Sequence, residues 1–289
     1  TLFRSKTIFI LVNNMAYYTP LRYPGGKGKL SSFIKDIFTT NNLLGGVYIE
    51  PYSGGAGVAL YLLLEGYAEN IIINDIDYTI YSFWKTLIDD TEWLCQKIYD
   101  TDVSIKNWYI QREINLHPKQ FSLNEVGFST FFMNRTNRSG IIKGGVIGGK
   151  DQTGKYKIDA RYNKNDLINR ILRISKYKSK IEVYNKDAIE LSKSILQNLG
   201  SKCLFYFDPP YFNKSKTLYT NSYTKNDHIN VSTFIKQLKC PWIVTYDDVP
   251  SIRRLYEPCP YSELLINYSA YKNAVKGKEI LFYGNLVIA

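Results

Sequence analysis

Histidine is nearly missing from this sequence: two residues in 289, His117 and His228, far apart along the chain. The four cysteines, Cys95, Cys203, Cys240 and Cys259, form no CxxC pair and have no histidine at ligand spacing. Together these absences exclude a sequence-local metal site and a disulfide-built secreted scaffold, and reduced thiols in a cytoplasmic protein are expected. The apolar run at residues 8–12 is too short to cross a bilayer and is a poor signal-peptide core, so no membrane partner is expected. Residues 1–14 read as an N-terminal extension, with Met15 as an internal start. A complete P-loop is also missing. In the stretch from Tyr23 to Lys29 the leading glycine is wrongly spaced and Leu30 stands where Ser or Thr should be. Gly144 to Lys150 has the spacing, but Asp151 replaces the hydroxyl residue and no strand precedes it, which argues against ATP.

Acidic residues are the minority, leaving a net charge of +11, and tyrosine is abundant at 25 residues. The charge is concentrated. From Asn134 to Lys180 there are thirteen Lys/Arg against three Asp, which accounts for nearly all of the excess. Tyrosines and glycines are interleaved with those charges, as backbone tracking on a polyanion requires.

Strand-like and helical segments alternate along most of the chain. Buried-type strands are predicted at 47–50, 71–75, 181–184, 203–207 and 242–246, with strand-like runs at 264–268 and 280–283 that no long helix separates. Asp77 is placed to cap a helix running to about Leu87. Such alternation predicts an α/β fold, a doubly wound and mostly parallel seven-stranded sheet, and the closing pair predicts an antiparallel edge hairpin. The stretch 91–180 breaks the alternation. It carries helical patterns at 91–99 and 167–174 and a glycine-rich basic loop at 143–155, and it reads as an inserted, mainly helical domain within 15–90 and 181–289.

Two constellations carry chemistry. Glu50-Pro51-Tyr52-Ser53-Gly54-Gly55-Ala56-Gly57 follows a strand and opens a helix, so backbone amides are available to a ligand. Asp75 ends the next strand, where a carboxylate accepts both hydroxyls of a ribose. The pair favours a nucleoside cofactor, without separating a nicotinamide dinucleotide from S-adenosylmethionine. The second constellation is Asp208-Pro209-Pro210-Tyr211, at the end of the apolar strand 203–207. Two prolines fix φ beside a carboxylate and forbid further regular structure. The Asp208 carboxylate and the Pro209 carbonyl supply two acceptors beside the Tyr211 ring, which suits a planar group bearing an amine.

These motifs, with Arg22-Tyr23-Pro24-Gly25-Gly26-Lys27, Asn74-Asp75-Ile76 and Asn134-Arg135, occur in an order that resembles the Dam-like DNA adenine-N6 methyltransferases of the alpha arrangement. The resemblance runs through most of the chain. It implies a Rossmann-like methyltransferase domain, S-adenosylmethionine as cofactor, double-stranded DNA as partner, and 91–180 as the target-recognition domain. Carried over by position, it implies cofactor contacts at Tyr23, Lys27, Asp75 and Asp208, within a site that also includes Glu50, Gly54 and Gly57. Asp187 is either a contact to the cofactor's adenine or simply the N-cap of the following helix. Asp208, Pro209, Pro210 and Tyr211 form the implied catalytic group, acting on an adenine flipped out of the duplex and stacked on Tyr211. Arg135, Arg138, Lys143, Lys150, Lys155, Lys157 and Arg161 are candidate DNA contacts, and residues 213–223 a loop over the flipped base. After Asn134-Arg135 the sequence departs from members that read GATC, so that target is not carried over. The resemblance allows a cognate restriction nuclease as a partner, and a monomer in solution is expected. Two competing readings are an RNA adenine methyltransferase and a DNA-binding regulator without catalysis; intact Lys27, Asp75, Asp208 and Tyr211 speak against the latter.

Overall fold

A computed structural model describes residues 6–9, 18–22, 27–212, 223–268 and 275–288. Its centre is an eight-stranded sheet: β1 (Lys6–Phe9), β2 (Gly46–Glu50), β3 (Ala68–Asn74), β4 (Ile181–Tyr184), β5 (Cys203–Phe207), β6 (Trp242–Asp247), β7 (Tyr261–Tyr268) and β8 (Val275–Gly284). The spatial order is β1-β7-β8-β6-β5-β2-β3-β4. Every neighbouring pair is parallel except those of β8, which lies antiparallel between β6 and β7. Seven of these strands are the predicted ones, and β7 with β8 is the predicted hairpin. The eighth, β1, comes from the stretch read as an N-terminal extension, and it pairs in parallel with β7.

The period-two alternation of side chains sends successive residues of each strand into different layers. Tyr48, Ile71, Ile73, Leu204, Tyr206, Ile243 and Leu281 join one core. Ile49, Ile72, Phe205, Phe207, Val244, Ile280 and Phe282 join the other. Helices α1 (Ser31–Thr40), α2 (Gly57–Leu64) and α3 (Tyr78–Asp89) cover the first face. Asp77 caps α3 as predicted, accepting from the Thr79 amide.

The predicted insertion supplies α4 (Thr91–Asp100), α5 (Ile105–Leu116), α6 (Leu123–Thr136) and α7 (Lys164–Ser175). A capping box of Ser122 and Glu125 starts α6, which is buried nearly all round from Val126 to Thr136. Gly127 lets α6 lie against α3, because a Cβ there would fall 2.6 Å from the Ser82 carbonyl oxygen and 2.4 Å from Thr86 Oγ1. Phe131 stacks on Phe83 of α3 with ring centroids 5.9 Å apart, so the core of the insertion is continuous with that of the sheet. On the second face lie α8 (Ala188–Ile195), α9 (Lys225–Gln237) and α10 (Pro250–Leu255). Among the described residues no helix is long and apolar enough to cross a membrane.

The chain order reverses direction between β2 and β5, the position where open α/β sheets leave a crevice at the carboxyl ends of their strands. Glu50 closes β2 at that point and Asp208 follows β5 directly.

Candidate active site

The turn from β2 into α2 is held by its neighbours. The Ser53 amide donates to the Asn74 carbonyl at 2.8 Å, and the Trp84 indole donates to the Gly54 carbonyl at 2.9 Å. The Gly54 amide in turn donates to Asp75 Oδ2 at 3.0 Å, and the Asp77 amide to Asp75 Oδ1 at 2.9 Å. Burial pushes the Asp75 carboxyl up to about 7, outweighing the two amides that act against it. Asn74 ties three loops together: its Nδ2 donates to the carbonyls of Pro51 (2.9 Å) and Lys186 (3.0 Å), and its Oδ1 accepts from the Lys186 amide (2.9 Å).

Glu50 is buried at the base of this turn. Burial pushes its carboxyl up to about 8; the Tyr48 hydroxyl, donating at 3.1 Å, opposes the rise and nearby Asp208 adds to it. Glu50 Oε2 and Ser53 Oγ are buried without a hydrogen-bond partner among the described residues. Orphaned polar atoms beside a glycine-rich turn and a helix start fit a polar nucleoside cofactor better than a sealed turn.

At the tip of β5, Asp208 Oδ1 accepts from the Thr245 hydroxyl at 2.8 Å and lies 3.2 Å from Lys27 Nζ. The Tyr206 and Thr245 oxygens are 2.9 Å apart, and since the threonine spends its proton on Asp208, the phenol donates to it. Asp208 is therefore held from two sides on one oxygen, with its side chain 19% exposed. The rest of the motif is anchored as firmly. The Tyr211 phenol donates to Glu279 Oε1 at 2.5 Å and accepts from Lys27, and the Phe212 amide donates to Asp247 Oδ1 at 3.1 Å. Lys27 Nζ lies 3.3 Å from Glu279 Oε2 and 4.7 Å from the centroid of the Tyr211 ring. Pro209 is buried and Pro210 half-buried. Tyr211 is only 7% exposed, so little of its ring is open for stacking in this conformation.

The structure thus brings together Lys27, Glu50, Gly54, Asp75, Asp208, Pro209, Pro210 and Tyr211, with Gly57 opening α2. Tyr23 and most of the 213–223 loop lie outside the described residues; Tyr223, at the loop's end, pairs with Tyr52 through hydroxyls 2.8 Å apart. Asp187 caps α8, its Oδ1 accepting from the amides of Ile189 (2.9 Å) and Glu190 (3.1 Å). Sequence reasoning missed Thr245, Asp247 and Glu279. Thr245 and Asp247 close the otherwise apolar strand β6, and Glu279 directly precedes the apolar run of β8, positions whose partners the sequence does not name.

Of the candidate DNA contacts, Arg138, Lys143, Lys150, Lys155, Lys157 and Arg161 are exposed on or beside the glycine-rich loop. The exposed Tyr156 ring has Lys155 and Arg161 each 5.8 Å from its centroid. Arg135 requires a correction. It is 8% exposed, its Nε donates to the Pro20 carbonyl at 2.6 Å, and burial with two arginine neighbours lowers its guanidinium to about 9. It braces the chain around Pro20 and is too deep to meet a phosphate. Asn134 acts beside it, accepting from the Arg22 amide (2.7 Å) and donating to the carbonyls of Arg22 (3.0 Å) and Gly140 (2.8 Å). Gly140, at φ +75°, closes the clasp; a Cβ there would lie 1.9 Å from the Arg22 oxygen.

A switch-point crevice between a glycine-rich turn and an anchored Asp-Pro-Pro-Tyr corner defines a methyltransferase acting on a planar amino group. The chain belongs to the D12 class N6 adenine-specific DNA methyltransferases, whose family model matches residues 23–270. It is 25% identical over 236 residues to the type II methyltransferase M.MjaIII of Methanocaldococcus jannaschii, covering 75% of this chain and 79% of that one. It is 25% identical over 232 residues to the type II methyltransferase M.CviBI of Paramecium bursaria Chlorella virus NC1A, covering 75% and 78%. A solved structure, the rRNA methyltransferase aviRa from Streptomyces viridochromogenes, has a TM-score of 0.36 at 10% identity, over 90% of this chain and 85% of that one. The protein methylates the N6 of adenine in DNA, with S-adenosylmethionine as methyl donor.

Proposed function

We propose that the target adenine leaves the duplex and enters the crevice beside Asp208, where Asp208 and the Pro209 carbonyl accept its two N6 protons. The amino lone pair of adenine is delocalised into the ring and is a poor nucleophile. Drawing both N–H bonds toward fixed acceptors favours a pyramidal nitrogen with a directed lone pair. The bound cofactor supplies an electrophilic sulfonium methyl, so the protein's part is positioning and electrostatics. Methyl transfer leaves the nitrogen with one proton in excess, which is released to solvent past Asp208. Pro210 shapes the rim of the base pocket, and the buried Tyr211 braces the corner behind it.

Tyr23, Lys27, Glu50, Gly54, Gly57, Asp75 and Asp187, with Asp208, hold the cofactor in this reading. The orphaned Glu50 Oε2 and Ser53 Oγ support it. Residues 91–180 form the target-recognition domain, with Arg138, Lys143, Lys150, Lys155, Lys157 and Arg161 on phosphates and base edges. The enzyme works in the cytoplasm as a monomer, with a cognate nuclease as the partner consistent with the type II names of its relatives.

One observation carries the proposal: Asp208 is anchored through Oδ1 at a strand tip while its side chain still reaches solvent. Expression in a methylation-free host, followed by mapping of modified bases, tests it. One short DNA sequence should carry N6-methyladenine. Unmodified DNA, or methylation confined to RNA, would refute the proposal.

A further inference from the structure

We infer that Glu279, on the antiparallel strand β8, is a positioning residue for methyl transfer, holding both ends of the Asp-Pro-Pro-Tyr corner through one buried carboxylate. The inference rests on the proposed role of Asp208 and extends it to a residue outside the motifs of the site. Glu279 sits opposite Asp247 of β6 and Leu264 of β7, in a strand whose next three residues are buried and apolar. At 2% exposure, an acid there costs more than a hydrophobic residue would unless its bonds are well made.

Both oxygens of its carboxylate make contacts toward the site. Oε1 takes the phenol proton of Tyr211 at 2.5 Å, and Oε2 lies 3.3 Å from Lys27 Nζ. Lys27, 8% exposed, reaches 3.2 Å to Asp208 Oδ1 and donates to the Tyr211 phenol oxygen. One acid therefore grips the tyrosine directly and the aspartate through the lysine. The direction of each bond follows. Because the phenol gives its proton to Glu279, its oxygen is free to accept from Lys27.

The arrangement also divides the lysine's charge. With Glu279 present, the ammonium is shared between two carboxylates, and Asp208 keeps acceptor strength for a substrate N–H. Without Glu279, Lys27 loses that second carboxylate and keeps its contact with Asp208. The ammonium then competes more strongly with the adenine for that carboxylate, and the Tyr211 phenol loses its bond to Oε1. The other supports of the corner, Thr245 on Asp208 and Asp247 on the Phe212 amide, would remain. The corner would stay in place but lose its polarity.

The test is single-turnover methyl transfer to DNA from a methylation-free host, with enzyme and cofactor saturating and rates normalised to sites that bind S-adenosylhomocysteine. Glu279→Gln keeps an acceptor for the phenol but removes the charge. The expected result is a rate about 10- to 100-fold lower, the scale of a lost charge-assisted hydrogen bond. The enzyme concentration giving half-maximal rate and the S-adenosylhomocysteine affinity should stay within about threefold of wild type. Glu279→Asp, which restores charge but retracts it by one methylene, should recover part of the rate. Combining Glu279→Gln with Tyr211→Phe should cost less than the two losses multiplied, because the residues act in one network. A purely structural acid would instead lower the melting temperature and the fraction of binding-competent enzyme while leaving the normalised rate intact, and that result overturns the inference. Should Glu279→Gln fail to fold, Glu279→Asp decides alone, and a wild-type rate in that variant also overturns it. The wild-type rate measured alongside bears separately on the proposed function.

Discussion

Asp208 gains its place from side chains that are not near it in sequence. Thr245, on the neighbouring strand, donates to it at 2.8 Å and is itself fully buried. Thr245→Val removes that bond with little change in volume. It also leaves the Tyr206 phenol without its acceptor, so an unfolding free energy lower by about 1–3 kcal/mol is expected in urea titrations, with a several-fold slower methyl transfer. Glu50 makes a prediction about pH. Its folded carboxyl titrates near 8, against an ordinary value of 4.5. Between those values the native state holds a proton that the unfolded chain has released, so stability falls as pH rises. In the absence of cofactor, the melting temperature should drop from pH 5.5 to pH 8, and Glu50→Gln should shrink that drop. Some slope should survive, because Asp75, pushed up to about 7, works in the same sense. An unchanged slope in Glu50→Gln would contradict the burial of that carboxyl. Residues that announce themselves by type and place, such as Asp75 and Asp208 at strand tips, were legible in the sequence. Thr245 and Glu279 were not, because a polar residue in or beside an apolar strand run gives no hint of which loop will fold back onto it.

At the scale of elements, the catalytic corner is cradled by the antiparallel pair β6 and β8, which supplies Thr245, Asp247 and Glu279. All seven strands expected from the apolar runs are present, since buried strands rich in Val, Ile, Phe and Tyr declare themselves. Helices α4 and α7 were equally visible in their patterns. Helices α5 and α6 were not: α5 has almost no apolar side, and α6 is buried nearly all round, so neither presents a clear stripe. What α6 does at its end was hidden too. Asn134-Arg135 matched a family motif, and Arg135 was read as a DNA contact, yet both residues clasp the chain at Pro20 and Arg22, just upstream of Lys27. Asn134→Ala removes three hydrogen bonds in that clasp. A loss of about 2–4 kcal/mol in denaturant titrations is expected, together with weaker cofactor binding, since Lys27 follows the clasped segment. Unchanged cofactor affinity would separate the clasp from the site.

Taken whole, the molecule divides its charge by task. The sheet and its crevice hold paired, mostly buried ions, whereas the stretch 134–180 carries ten of the eleven net positive charges. Six of the seven candidate cations stand exposed along the glycine-rich loop and its flanks. DNA affinity should fall steeply with salt, and replacing Lys150, Lys155 and Arg161 together by Ala should reduce the slope of log K against log salt by about 2–3. The single-turnover rate at saturating DNA should change little, because none of the three touches the Asp208 corner. A salt slope unaffected by the triple substitution would remove this face from the DNA interface. Methyl transfer itself turns on one pair of oxygens at the end of β5. Its most direct test is Asp208→Asn, which keeps shape and volume but offers an amide where the carboxylate stood. With S-adenosylmethionine and unmethylated DNA both saturating, the wild type should form N6-methyladenine, and the variant should be slower by about 10³-fold or more while binding DNA nearly as well. Methyl transfer by Asp208→Asn at the wild-type rate would contradict the account.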